Sequence, residues 1–488
     1  MQAPAARRRV TRTLPLLLGA VLLASLAPSA ALGSVPRGAI EAAAELAGGD
    51  PVVTDTEPVA GTKPATRSTV PTTASAIVPG SVTRSTLRMT ATYDVSARLA
   101  LSARVLRGTA TITARNDSGA GIDTVRLNTT MGALGGLVLG TVTVDGTVVV
   151  ATRSGQTVTI PLGGVLPDGA TVTLVVPFKA TLRSGTGGDS WLFTRANGIT
   201  DMYRWVPWIS RTTAFARPNF GDPFVTPVSP RVTLRLRTDV RTKVVVNGTR
   251  TATSADGLTT TWVLANVRDV VVNAAHDYRI SEQRVGDTWV RVHTRPGQPR
   301  AAILAAAVNA VTRLEARLGP YPWPVLRIVQ SAGGLGMEGP AIVWIPAGVA
   351  PANLRYLLMH EVAHQWFYGL VGNDQAREPF ADEAITDMVA RYLTGTRRAS
   401  RCTPGPLDRT IYAYSSTCYY ERIYIQGGNL LDRTRSTMGT GAFFATLRRY
   451  LANHRWEIVH TRTLLDALDA ATARDLAAGW RSRFPTLY

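Results

Sequence analysis

The residues best able to do chemistry in this 488-residue chain sit in one pentad, His360-Glu361-Val362-Ala363-His364. On a helix, histidines at i and i+4 project from one face, close enough to hold a single metal ion through their imidazoles. The Glu between them lies where it can polarise a metal-bound water. With six His and eleven Glu in the chain, composition alone predicts roughly 0.002 such pentads, so the spacing is not an accident of residue usage. A catalytic zinc site that keeps one position open needs a third protein ligand. Glu383, in the stretch FADEAITD, follows His364 after eighteen intervening residues and completes a two-His, one-carboxylate set of His360, His364 and Glu383. A helical HExxH followed by a helical Glu is a hydrolytic arrangement, so one Zn2+ per chain is preferred over iron, while the ligand set by itself leaves another divalent metal open. Asp387, four residues beyond Glu383, is expected on the same helical face, where it could accept a hydrogen bond from the outer ring nitrogen of a ligating His.

The elements that must carry these groups change character along the chain. From Leu87, short runs such as MTATYDVSARLAL, GTATITARN and ATVTLVVPF alternate apolar and polar residues between Asp-Gly, Ser-Gly and Gly-Gly turns, which predicts an antiparallel β domain over residues 85–285. The period then becomes helical. Ile303, Ala307, Val311, Leu314 and Leu318 share a helix face that ends at Gly319-Pro320, and Leu354, Leu357, Leu358 and Val362 give the pentad's helix an apolar surface. Residues 286–488 read mostly as helices, closing with TLLDALDAATARDLAAGWRSRF. The expected class is α+β and multidomain, with an antiparallel β-sheet domain followed by a mainly helical catalytic domain.

The amino terminus reads as a targeting segment. Arg7, Arg8, Arg9 and Arg12 precede an apolar stretch from Leu14 to Leu26 that is too short for a stable span and is followed by small residues. Residues 1–33 are expected to be a secretory signal peptide, and residues 34–84, rich in Ala, Thr, Pro and Gly, a flexible linker or prosegment. No later run of about 18 apolar residues offers a membrane span, so the mature chain is expected to be secreted or otherwise extracytoplasmic. In an oxidising compartment Cys402 and Cys418 are expected to form a disulfide, with two free buried thiols as the alternative. The formal charge of +19 comes from 53 Lys+Arg, only three of them Lys, against 34 Asp+Glu. Because the arginines are spread along the chain rather than clustered, nucleic acid is not the expected partner.

The stretch HEVAHQWFYGLVGN, with Glu383 at its spacing, resembles the gluzincin aminopeptidases, the group of aminopeptidase N and leukotriene hydrolase, whose motif runs HExxHQWFGN and then NEG. Asp382-Glu383-Ala384 stands in place of that last triplet. Gly336-Met337-Glu338-Gly339 resembles the family's GAMEN strand. The resemblance implies that Gly336 and Met337 line the substrate cleft and that Glu338 binds the free amine of a peptide. Gly319-Pro320-Tyr321-Pro322 is similar to the family's G-x-Y-P turn, and Tyr424-Ile425-Gln426-Gly427 to its Y-x-K-G segment, which implies that Tyr424 donates to the tetrahedral oxyanion; Tyr419 and Tyr420 compete for that role. Phe220-Gly221-Asp222-Pro223 looks like the end of the segment that often supplies a second amine anchor, but no Gln precedes it nearby, and Asp201 is the closest upstream acid. The family implies a thermolysin-like zinc metallopeptidase domain, and the expectation from this sequence is a short form without the large helical carboxy-terminal domain of longer relatives. The expected activity is hydrolysis of peptide substrates by metal-activated water, with Glu361 as general base and release of amino-terminal residues. A zinc endopeptidase and a non-catalytic extracellular binding protein are the alternatives. The oligomeric state is not legible in the sequence.

Overall fold

The structure is a computed structural model and describes residues 75–211 and 224–488. The expected signal peptide, residues 34–74 of the expected linker, and Phe220-Gly221-Asp222-Pro223 lie outside the described residues. Residues 75–84, expected as the end of the linker, are held against the β domain. There the Asp123 carboxylate accepts hydrogen bonds from Ser81 Oγ and from the backbone N–H groups of Val82, Thr83 and Arg84.

From Met89 the sequence alternation becomes alternating burial. Strand Met89–Ala100 buries Met89, Ala91, Tyr93, Val95, Ala97 and Leu99 and turns Thr90, Asp94, Ser96 and Arg98 outward. It pairs antiparallel with Val105–Asn116 and parallel with Val232–Thr238 inside a nine-stranded sheet. A four-stranded sheet containing Ile122–Asn128 and Thr157–Leu166 shares its core, which joins Leu106, Ile112, Val125, Ile160, Leu174 and Trp205 in one cluster. A further four-stranded sheet includes Ile199–Met202 and Val272–Ala275. Val245 of this sheet and its neighbours Trp191 and Tyr203 pack with Met337, Ile342 and Trp344 of the second region, so the two regions share a core.

The second region contains strands as well as helices. Arg279–Val285 turns back on Thr288–Thr294, which runs parallel to Val325–Gln330; that strand is parallel to Ile342–Ile345, and Met337–Gly339 closes a five-stranded sheet antiparallel to it. Strand Arg279–Val285 lies before the expected boundary at 285/286 yet is paired into this second sheet. Helix Arg300–Leu318 buries Ile303, Ala307, Val311, Leu314 and Leu318, as its periodicity requires, and shares a core with helix Pro351–Ala363. The closing segment is not one helix: Thr461–Asp469 stops, and a short turn of helix resumes at Ala477–Trp480. Cys402 and Cys418 form the expected disulfide. Among the described residues no helix is long and apolar enough to cross a membrane.

Candidate metal centre

Helix Pro351–Ala363 starts with proline in its first turn, where the missing N–H costs nothing, and ends at His364, so both histidines occupy its last turn. His360 Nε2 and His364 Nε2 lie 3.2 Å apart. Glu383 Oε2 is 3.4 Å from the first and 3.3 Å from the second. The Glu383 oxygen is buried and makes no hydrogen bond. Bonds of about 2.0–2.2 Å to a tetrahedral zinc place ligand atoms about 3.3 Å from one another, so the three side chains present fit a zinc ion. The surroundings also suit a cation. Burial works against a charged His364, yet Asp382, Glu383 and Glu338 raise its pKa well above the usual imidazole range.

Glu383 is held by a turn that sequence periodicity does not reveal. Residues Phe380–Ala384 form a π-helical turn, and ordinary α-helix Ile385–Thr394 follows. The wider turn shifts the helical phase, which corrects the expectation for Asp387. Its carboxylate accepts from Arg391 Nε at 2.8 Å and from the Tyr356 hydroxyl, and makes no bond to a ligating histidine. Asp382 takes the place expected of Asp387. His364 Nδ1 donates to Asp382 Oδ1 at 2.8 Å, fixing Nε2 as the nitrogen free for metal. The other oxygen of Asp382 accepts from Gln375 Nε2 at 2.8 Å, and Gln375 Oε1 accepts from Arg204 Nη2 at 3.1 Å. Arg204 belongs to the β region, is fully buried, and also donates to the Phe224 carbonyl. Its guanidinium lies 5.4 Å from the ring centroid of Tyr368, a residue held at φ 125°, in the region that favours glycine. Asp382 was legible in the sequence as the neighbour of Glu383, but nothing there marked Gln375 or Arg204.

The remaining predicted residues converge on the same point. Glu361 is buried beside the ligands, and burial raises its carboxyl pKa to about 7, with His360 and His364 opposing and Glu383 and Asp382 adding to the rise. A Cβ on Gly336 would sit 2.1 Å from Glu361 Oε1, so a side chain at this position, just before the strand Met337–Gly339, would displace the carboxylate. Met337, Glu338 and Gly339 form the edge strand beside it, and a carboxylate oxygen of Glu338 lies within 4.8 Å of ligand-capable atoms of His364 and Asp382. Gln365 fastens that strand to the helix: its Nε2 donates to the Gly339 carbonyl at 2.9 Å, and its Oε1 accepts from the Ala341 N–H at 2.8 Å and the Tyr321 hydroxyl at 3.2 Å.

Tyr424 stands on a second π-helical turn, Glu421–Gly427. Its ring stacks on His360 with centroids 5.6 Å apart, and its hydroxyl pKa is raised well above the usual value by burial and by the negative charge of the nearby Glu383 carboxylate. Tyr420 accepts a hydrogen bond from Arg391 Nη2 at 2.9 Å instead. The two π turns meet closely at glycine: a Cβ on Gly427 would come within 2.7 Å of the Ala384 Cβ. Gln426 is bound to the disulfide loop, donating to the Cys402 carbonyl at 2.8 Å.

The fold is that of the M1 zinc metallopeptidases, and the resemblance to gluzincin aminopeptidases is matched by the proteins to which this chain is similar. An M1 zinc metallopeptidase from Deinococcus radiodurans superposes with a TM-score of 0.65 at 18% identity, over 83% of this chain and 95% of that one. A mutant of the D. radiodurans protein bound to a Tyr-Ser-Ala substrate gives a TM-score of 0.65 at 16% identity. In sequence, the chain is 24% identical over 377 residues to aminopeptidase 2 of Candida albicans and 25% identical over 352 residues to the alanine/arginine aminopeptidase of Saccharomyces cerevisiae. The matches cover 66% and 62% of this chain but 39% of each relative. No protein-family profile matches the chain.

Proposed function

We propose that this chain is a zinc metallopeptidase that removes amino-terminal residues from peptides. The observation that carries this reading is the convergence of His360, His364 and Glu383 on one point, with Glu361, Tyr424 and Glu338 beside it. One zinc ion per chain, held by those three ligands, supplies Lewis-acid polarisation of the scissile carbonyl and of the attacking water. Glu361 takes the proton from that water and hands it to the leaving amine, a role suited to a buried carboxylate whose affinity for protons is raised. Tyr424, hydroxyl protonated, donates to the oxygen on which negative charge develops. Glu338 pairs with the peptide ammonium, while Met337 and Gly336 line the approach. Asp382 and Gln375 hold His364 in the tautomer that presents Nε2. An extracytoplasmic location is part of the proposal, supported by the charged-then-apolar amino terminus and by the disulfide.

The test is hydrolysis of amino-acyl fluorogenic amides before and after zinc depletion and restoration, run beside the same peptides with acetylated amino termini. The expected result is activity lost on chelation, recovered with zinc, and at least tenfold slower on blocked peptides. Equal rates on blocked and free peptides would make the protein an endopeptidase. One bound zinc with no cleavage across a broad peptide library would make it a binding protein.

A further inference from the structure

The charge excess that is diffuse along the sequence is gathered in space. Residues 75–275 hold 21 Lys+Arg against 11 Asp and no Glu. In the nine-stranded sheet, strand register sets four of these cations side by side on adjacent strands: Arg237 opposite Arg98, Arg98 opposite Arg107, and Arg107 opposite Lys179. Residues directly opposite one another share a face, so the four form one row perpendicular to the strands, spaced at about 5 Å. Like charges in directly opposed positions repel. Arg237 is paired with Asp256 at 3.0 Å, while Arg98, Arg107 and Lys179 are exposed and have no acidic partner among the described residues. Arg235, also exposed, lies two residues from Arg237 on the same face. These cations line a groove of about 620 Å³ on the outer face of the sheet.

We propose that this row is a binding site for a linear phosphate polymer, a function separate from peptide hydrolysis and independent of that reading. Three observations select the ligand class. The cations lie on a line, which suits an anionic chain laid across the strands. Three of the four in the row are arginines, whose guanidinium forks match phosphate oxygens. No exposed aromatic side chain accompanies them, the one aromatic of the groove being the buried Phe178, so there is no platform on which nucleic-acid bases could stack. A membrane surface is less well matched, because among the groove residues Val138 is the one large exposed apolar side chain.

The test measures binding of medium-chain inorganic polyphosphate to the full chain at about 0.15 M salt. It compares the wild type with R98S/R107S/K179S and with R231S/R279S/R474S, a control that removes the same charge from exposed positions elsewhere. The row variant is expected to bind at least tenfold more weakly and to lower the slope of log affinity against log salt by about 2, while the control changes affinity less than threefold and all three proteins hydrolyse peptide alike. Lysine footprinting of the wild type supplies a measurement that needs no variant. Lys179 should be shielded from acetylation by polyphosphate, whereas Lys243, already donating to the Tyr278 carbonyl at 2.6 Å, should not change. Equal weakening in the row and control variants, an unshielded Lys179, or tighter binding of single-stranded DNA or anionic vesicles than of polyphosphate would overturn the proposal.

Discussion

The two regions of the molecule differ most in what their polar residues are for. Residues 75–275 contain neither His nor Glu, whereas residues 276–488 hold all six His and eight of the eleven Glu. In the first region, acids such as Asp123 serve as acceptors that tie backbone down, and most cations point to solvent. In the second, carboxylates and imidazoles are buried together, which is costly unless a metal or an opposing charge compensates them. The exceptions in the first region are instructive, because its buried ions reach toward the second. Arg204 bonds Gln375. Asp201 accepts from the Ala332 N–H at 2.7 Å and from Asn273 at 2.6 Å, and Asn273 in turn accepts from Trp344 at 2.7 Å. The β region is thus a scaffold along most of its length and a supporting shell for the candidate metal centre where it meets the second region.

That contrast can be broken or sharpened by substitution. The largest effect outside the metal ligands and Glu361 is expected from Tyr424→Phe: a fall of roughly 10²- to 10³-fold in kcat with KM little changed, because the lost donor acts on charge that develops during the reaction. Turnover within threefold of wild type would move the oxyanion role to Tyr419. Next comes the chain of bonds behind His364. Asp382→Asn should weaken zinc binding by about 10- to 100-fold in a chelator competition, and Arg204→Met, one bond further out, should weaken it less while lowering stability by about 2–4 kcal/mol through the acceptors left unpaired. If Arg204→Met cost only stability, the β region would have no hand in metal binding.

The smallest effect is a pH dependence of stability centred on Asp201. Burial raises its pKa to about 7 from an unfolded value near 3.8, against the hydrogen bonds from Ala332 and Asn273. A folded value above the unfolded one means the neutral acid is favoured in the native state. Its contribution is therefore complete below about pH 4 and is lost as pH rises toward 7. Denaturant unfolding of Asp201→Asn should show a flatter pH profile than wild type across that window, and parallel profiles would refute the assignment.

The sequence was legible where physical period and burial coincide. Helix Arg300–Leu318 and the strands from Met89 onward buried the residues that their alternation marked. Strand Val325–Gln330, buried at every position, carries no alternation to read. The hairpin that opens at Arg279 continued the β pattern of the first region and so concealed the sheet to which it belongs. At the site, the pentad and Glu383 could be found because their spacing has a mechanism. The expectation for Asp387 fails because the π-helical turn Phe380–Ala384 interrupts the 3.6-residue phase between it and the histidine helix, and a second such turn carries Tyr424. Gln375 and Arg204 had no sequence signal, since their role exists only once two distant segments are packed together.

The proposed chemistry rests on Glu361 moving a proton beside a zinc ion held by His360, His364 and Glu383, and the direct measurement is kcat of Glu361→Gln at full zinc occupancy. The expected result is one zinc per chain, as in the wild type, with kcat lowered by roughly 10²- to 10⁴-fold. Turnover close to wild type in a variant that retains its zinc would contradict the assignment of Glu361 as the base.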